Sequence, residues 1–148
     1  MNSTIQGIVT VIGRVLLSAI FLLSAVGNKI PNFQQVAQYM ASAGVPAPEL
    51  MLAGAIAFLL VGSLSVILGF QARLGAGMLI VFLVLATYYF HPFWRLEGVE
   101  QMQQNIQFMK NLSIAGAMLF IVANGSGPMS LDRVIFHRSA ELAAARIS

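Results

Sequence analysis

The chain has 148 residues, of which 58% are apolar and 9% charged, and a mean hydropathy of +0.83. A soluble domain of this length needs roughly a quarter of its residues charged to cover its surface, so a soluble enzyme and a disordered chain are both excluded, and the sequence reads as one membrane domain over 1–148. The net charge of +3 comes from eight Lys and Arg against five Asp and Glu with no basic stripe, which does not point to nucleic acid; the absence of cysteine excludes disulfides and any thiol relay within the chain.

The gaps between charges define four apolar spans, at about 5–26, 50–68, 74–91 and 106–123, each near the 20 residues that cross a hydrocarbon core. The first is interrupted only by Arg14, and its leading residues carry no Lys or Arg, so it reads as a retained helix rather than a signal peptide. The segment 30–48 holds Pro31, Pro46 and Pro48 and is too polar to span. It is predicted as a loop in which Asn32 caps a short interfacial helix with Phe33, Val36 and Met40 on one face. Gly69 to Arg73 is short enough to force an antiparallel hairpin between spans two and three, and a longer polar loop is predicted from His91 to about Gln107. Gly125, Gly127 and Pro128 stop the fourth span, and a weakly amphipathic tail follows over 129–148. The fold class is therefore all-α, an integral membrane four-helix bundle. With four spans both termini share a side, where Arg73, Arg133, Arg138 and Arg146 outnumber Lys29, Arg95 and Lys110 opposite, which assigns both termini to the cytoplasm. Gly54, Gly62, Gly69, Gly75 and Gly116 read as packing sites where helices approach closely.

An ionisable group inside a bilayer is costly and marks a candidate site. Arg14 lies about 12 Å along the first helix, level with Leu60 in an antiparallel second span, and is either a fixed cation for a ligand or a side chain satisfied by carbonyls and the interface. Lys29, His91, Trp94 and Lys110 fall at span ends on the opposite face. Together they suit a quinone headgroup or small anion with His91 relaying a proton, and equally an aromatic and basic interfacial girdle. No metal site is expected, since His91 and His137 fall on opposite sides, and no carboxylate sits inside a span.

Arg14, Phe21 and Lys29-Ile30, then Tyr39-Met40 and Gly44-Val45-Pro46, Leu68-Gly69-Phe70 with Arg73, His91 with Phe93-Trp94, and above all the run Phe108 to Ala117, followed by Gly125 and Ser130-Leu131-Asp132, form an ordered set. In these residues the chain resembles the DoxX family of small four-helix membrane proteins. The resemblance implies a bacterial inner-membrane location and an association with respiratory or sulfur redox enzymes. Two readings follow from it: a quinone-linked accessory subunit whose electron carrier comes from a redox partner protein, or a non-catalytic protein that binds lipid, a small anion or a partner and supports envelope stress tolerance. No intrinsic cofactor is expected. Many relatives of this type carry a glutamate near the position of Leu59, which the depth count places beside Arg14.

Overall fold

A computed structural model describes residues 2–135, and these are almost entirely helical. The order is α1 (Ser3–Ser24), running directly into a π-helical turn (Ala25–Lys29), α2 (Phe33–Ser42), α3 (Pro48–Leu68), α4 (Ala72–Phe90), a 3-10 turn (Phe93–Arg95) and α5 (Gly98–Asn124). Four of the helical stretches, Ser3–Lys29, Pro48–Leu68, Ala72–Arg95 and Gly98–Asn124, are long and apolar enough to cross a membrane.

Each helix begins and ends for a local reason. The Asn2 side chain accepts from the Thr4 amide at 3.3 Å, capping α1. Pro48 opens α3 at a position where its missing N–H costs nothing, with Glu49 in the first turn. Gly69 closes α3 in the left-handed region at φ 66°, donating to the Val66 carbonyl while Phe70 donates to that of Ser65. Asn32 precedes α2 as expected, yet its amide does not cap the helix. It donates instead to the Asn28 carbonyl at 3.1 Å. The fourth spanning helix begins at Gly98, not near residue 106, so the connection after α4 shrinks to residues 91–97; the polar stretch 98–107 is a helical extension rich in good helix formers. The tail expected over 129–148 is described only to residue 135, and His137 lies outside the described residues.

The spanning helix α3 is central, packing against α1, α2 and α4, and α4 carries α5 on its other side. The closest approach is between α3 and α4, where a Cβ on Gly62 would lie 2.9 Å from the Leu79 side chain and 3.0 Å from the Gly75 carbonyl. Apolar burial does not drive helices together in lipid, so such small-residue contacts set the packing. One core cluster gathers Phe21, Ala25, Leu59, Val66, Ala76, Leu79, Leu83 and Met118; a second, beneath α2, gathers Ala37, Met40, Val45 and Leu52. Met118 is the single buried residue of α5, and side chains such as Leu16, Leu50 and Phe120 point outward, as a lipid-facing surface requires.

Candidate functional site

Polar groups collect at both ends of the bundle, and the two collections differ in kind. At the end that holds the α3–α4 turn, Arg14 is 4% exposed. Its Nη1 donates to the Ser126 carbonyl at 3.1 Å and its Nη2 to the Met129 carbonyl at 2.8 Å. The segment after α5 folds back over α1, with Met129 against Gly7 and Gly127 against Thr10. These three contacts use one face of α1, Gly7, Thr10 and Arg14, at helical spacing.

Asp132 ties the same segment to the α3–α4 turn. Its Oδ1 accepts from the Gln71 amide at 2.8 Å, its Oδ2 from the Ser126 hydroxyl at 3.1 Å, and its own amide donates to the Gly69 carbonyl at 3.0 Å. Gln71 is held at φ 48°, a strained value for a residue with a side chain, where that carboxylate anchors it. Asp132 also acts on the Arg14 guanidinium through space. A Cβ on Gly69 would collide with that guanidinium.

This geometry corrects the depth count. Arg14 lies against Gly69 and not beside Leu60, a shift of nine residues or about 14 Å along α3. The helix α1 starts at Ser3 and runs past the end of α3, so equal residue counts do not give equal depths. Leu59, fully buried, packs in the apolar cluster with Phe21 and Ala25, away from Arg14.

At the other end a cavity of about 870 Å³ opens between α1, the π turn, α2, α3 and α4, a size typical of small-molecule sites. Its walls are largely apolar and aromatic, with Tyr39 of α2 stacked on Phe90 of α4 at 5.3 Å between ring centroids. Lys29 and His91 both line it, together with Asn28, Asn32, Gln35 and Asn111, and among the described residues no carboxylate does.

The orientation of Lys29 is the decisive detail. A lysine that anchors a helix end extends its ammonium outward to water. Here Nζ turns back into the bundle, donating to the Ser24 hydroxyl at 2.6 Å and lying 5.5 Å from the centroid of the Phe82 ring. Phe82 is eight residues before the end of α4, about 12 Å inside it. The π turn makes this possible: residues five apart in an α-helix point about 140° away from each other, whereas the wider turn that closes Ile30 N–H on the Ala25 carbonyl at 2.9 Å brings Lys29 above Ser24.

The polar neighbours are only partly committed. His91 shares Nδ1 with the Gln104 carboxamide oxygen at 2.7 Å, which makes Nδ1 the donor and leaves Nε2 as an acceptor in the neutral ring. Asn111 donates to the Thr87 hydroxyl at 2.9 Å, and its carboxamide oxygen has no hydrogen-bond partner among the described residues.

Of the five residues singled out from the sequence, the structure brings together Lys29 and His91. Trp94 is half-exposed and packs edge-on against Phe93 and Phe108 at 5.3 Å and 6.5 Å. Lys110 is exposed and lines a separate, shallower groove, and Arg14 lies at the far end of the bundle. Sequence reasoning missed Ser24, Asn28, Phe82 and Gln104. Asn111 stands inside the run Phe108 to Ala117 but drew no notice as a side chain. Among the described residues no group of three or more His, Asp or Glu is placed to hold a metal ion.

Residues 9–92 match the DoxX family. The chain is 34% identical to inner membrane protein YphA of Escherichia coli (strain K12) over 85% of its own length and 89% of that protein. It is 31% identical to inner membrane protein YqjF of the same organism, over 88% of its length and 95% of the relative. No solved structure matches it. The four spanning helices, the family match and near full-length similarity to two inner membrane proteins lead to one conclusion: the chain belongs to the DoxX family.

Proposed function

We propose that this protein is a multi-pass inner membrane protein, with both termini in the cytoplasm, that binds an anionic amphiphile, holding the headgroup on Lys29 and the apolar tail in the cavity beneath α2. The observation that carries this reading is the inward ammonium of Lys29, which has a neutral hydroxyl and an aromatic face as its neighbours in a cavity that no carboxylate lines among the described residues. A cation taken out of water costs several kcal/mol unless an opposite charge offsets it. An anionic headgroup supplies that charge, and the Asn28 amide and the second N–H of the Asn32 and Asn111 amides, whose first is given to the Asn28 carbonyl and the Thr87 hydroxyl, line the cavity as further donors.

A quinone serving a partner oxidoreductase is the second reading. It is favoured by the aromatic walls and by His91, whose contact with Gln104 fixes the ring for proton exchange. A quinone, being neutral, accepts a hydrogen bond from Lys29 but does not offset its charge.

The two are separated by binding measurements on the full chain in nanodiscs of neutral phosphatidylcholine, using a spin-labelled phosphatidylglycerol and a short-chain ubiquinone analogue. Lys29→Gln, which keeps a donor and removes the charge, is expected to weaken phosphatidylglycerol binding by about 1.5 to 3 kcal/mol, tenfold or more. Equal phosphatidylglycerol affinity in wild type and variant refutes the anionic reading; quinone binding that survives in Lys29→Gln and falls in His91→Ala supports the second.

A further inference from the structure

Building on that reading, we propose that the groove between α1 and α5, with Lys110 at its rim, is a second and shallower binding site for the same anionic amphiphile, from which the ligand passes between Ile20 and Ile114 into the Lys29 cavity. The groove holds about 590 Å³ and is bounded by Ile20 of α1 and by residues of α5 from Asn105 to Ile114. It and the deeper cavity share three wall residues: Ile20, Asn111 and Ile114. The partition between them is therefore two isoleucine side chains and one carboxamide.

The packing makes that partition movable. The extensive helix contacts run from α1 to α3, from α3 to α4 and from α4 to α5, so α1 and α5 are the two outer members of the spanning set. Ile20 is more than half exposed, and α5 buries only Met118, below the groove. Parting α1 from α5 breaks no hydrogen bond between them among those described, because Asn111 bonds Thr87 of α4 and Lys29 bonds Ser24 of α1.

Charge specifies the ligand. Lys110 is exposed and lines the groove with Asn105, Gln107 and Ser113 nearby, and among the described residues no carboxylate lines it. An amphiphile in the bilayer thus meets a first cation at the groove rim, a neutral carboxamide at the partition and a second cation inside. Asn111 and Thr87 are bonded across α4 and α5, which sets the groove at about one turn inside the end of α4, a depth that a headgroup reaches from the interface.

A site that lies on the path and not at its end has a kinetic signature. Lys110→Gln is expected to weaken binding at the groove and to slow both loading and release of the spin-labelled phosphatidylglycerol at the Lys29 cavity several-fold, with the difference shrinking at high salt because the charge is exposed. The chain has no cysteine, so Ile20→Cys with Ile114→Cys can be bridged by a short bis-methanethiosulfonate reagent and the bridge verified by mass spectrometry. The bridged protein is expected to exchange the probe at least tenfold more slowly and to recover on reduction; Ile20→Trp, which fills the partition without a bridge, is expected to slow exchange in the same direction. Exchange at the wild-type rate in both the bridged and the Trp variants, with equilibrium binding intact, overturns the portal. Failure of the unmodified protein to bind the probe at all defeats the cavity reading and the portal with it.

Discussion

Replacing Arg14 with Gln tests whether this buried cation holds the bundle together or serves a ligand. The guanidinium spans two carbonyls, those of Ser126 and Met129, that stand on one loop 112 and 115 residues away in the chain. A charge-assisted hydrogen bond contributes about 1.5 to 3 kcal/mol in a folded protein, and hydrogen bonds within membranes average less because the unfolded chain in lipid also finds partners. Removing the cation also relieves its desolvation. The net loss works out at about 2 to 4 kcal/mol, read by thermal unfolding of the purified protein. The loss has a local mark: a cysteine introduced at Ser126, buried in the wild type, becomes reactive to maleimide in the Gln variant. Arg14→Lys is expected to recover part of the stability, since one ammonium reaches one carbonyl but lacks the fork that reaches two. Phosphatidylglycerol affinity at the Lys29 cavity is expected to stay unchanged. Full stability and an unreactive Ser126→Cys in Arg14→Gln refute the reasoning, and lost lipid binding in a stable Arg14→Gln protein assigns the residue to a ligand after all.

Gly69→Ala meets both a positive φ of 66° and the Arg14 guanidinium, and is expected to cost about 1 to 2 kcal/mol from the backbone alone, with Arg14→Gln abolishing any further penalty in a double-mutant cycle. Leu59→Glu is expected to destabilise by at least about 2 kcal/mol, because the carboxylate enters a fully buried apolar cluster without a cation beside it; thermal unfolding above the wild-type temperature would show that Arg14 reaches it. Single cysteines at Gln38, Gln71 and Gln103 report sidedness in intact cells: the first and third are expected to label from outside, and labelling of Gln71→Cys alone inverts the orientation.

The spans were legible because in lipid each charge is expensive, so the gaps between charges are the helices; only the start of α5 was not, since residues 98–107 are helical yet too polar to stand out from a loop by hydropathy. Helix propensity carries that signal where hydropathy does not: Glu100, Gln101, Met102, Gln103 and Gln104 are all good helix formers. The partners of Arg14 were illegible for a different reason. Backbone carbonyls have no residue identity, and the loop that presents them returns from the other end of the chain. The Lys29 site was half visible. Its lysine and histidine were singled out from their positions at span ends, but the five-residue step from Ser24 to Lys29 has no meaning at α-helical period and acquires one only through the π turn.

The contrast between the two ends supports placing the proposed ligand at the Lys29 end. Around Arg14 the carbonyls of Ser126 and Met129, the Asp132 carboxylate and the amides of Gln71 and Asp132 form a network that fixes a loop against two helices, with the buried Arg14 Nε left without a hydrogen bond among the described residues. Around Lys29 the set is open among the described residues: the ammonium has three donors and one neutral acceptor, and the Asn111 carboxamide oxygen and the His91 Nε2 have no hydrogen-bond partner there. Arg14 is buried and Lys29 half-buried, in surroundings where unmatched polar groups are costly. At the first the protein supplies a carbonyl to each terminal nitrogen of the guanidinium, while at the second a largely apolar cavity stands beside the ammonium. A helix anchor needs no cavity and no inward turn, so the geometry of Lys29 favours the proposed anionic headgroup, which supplies the ammonium with a counter-charge.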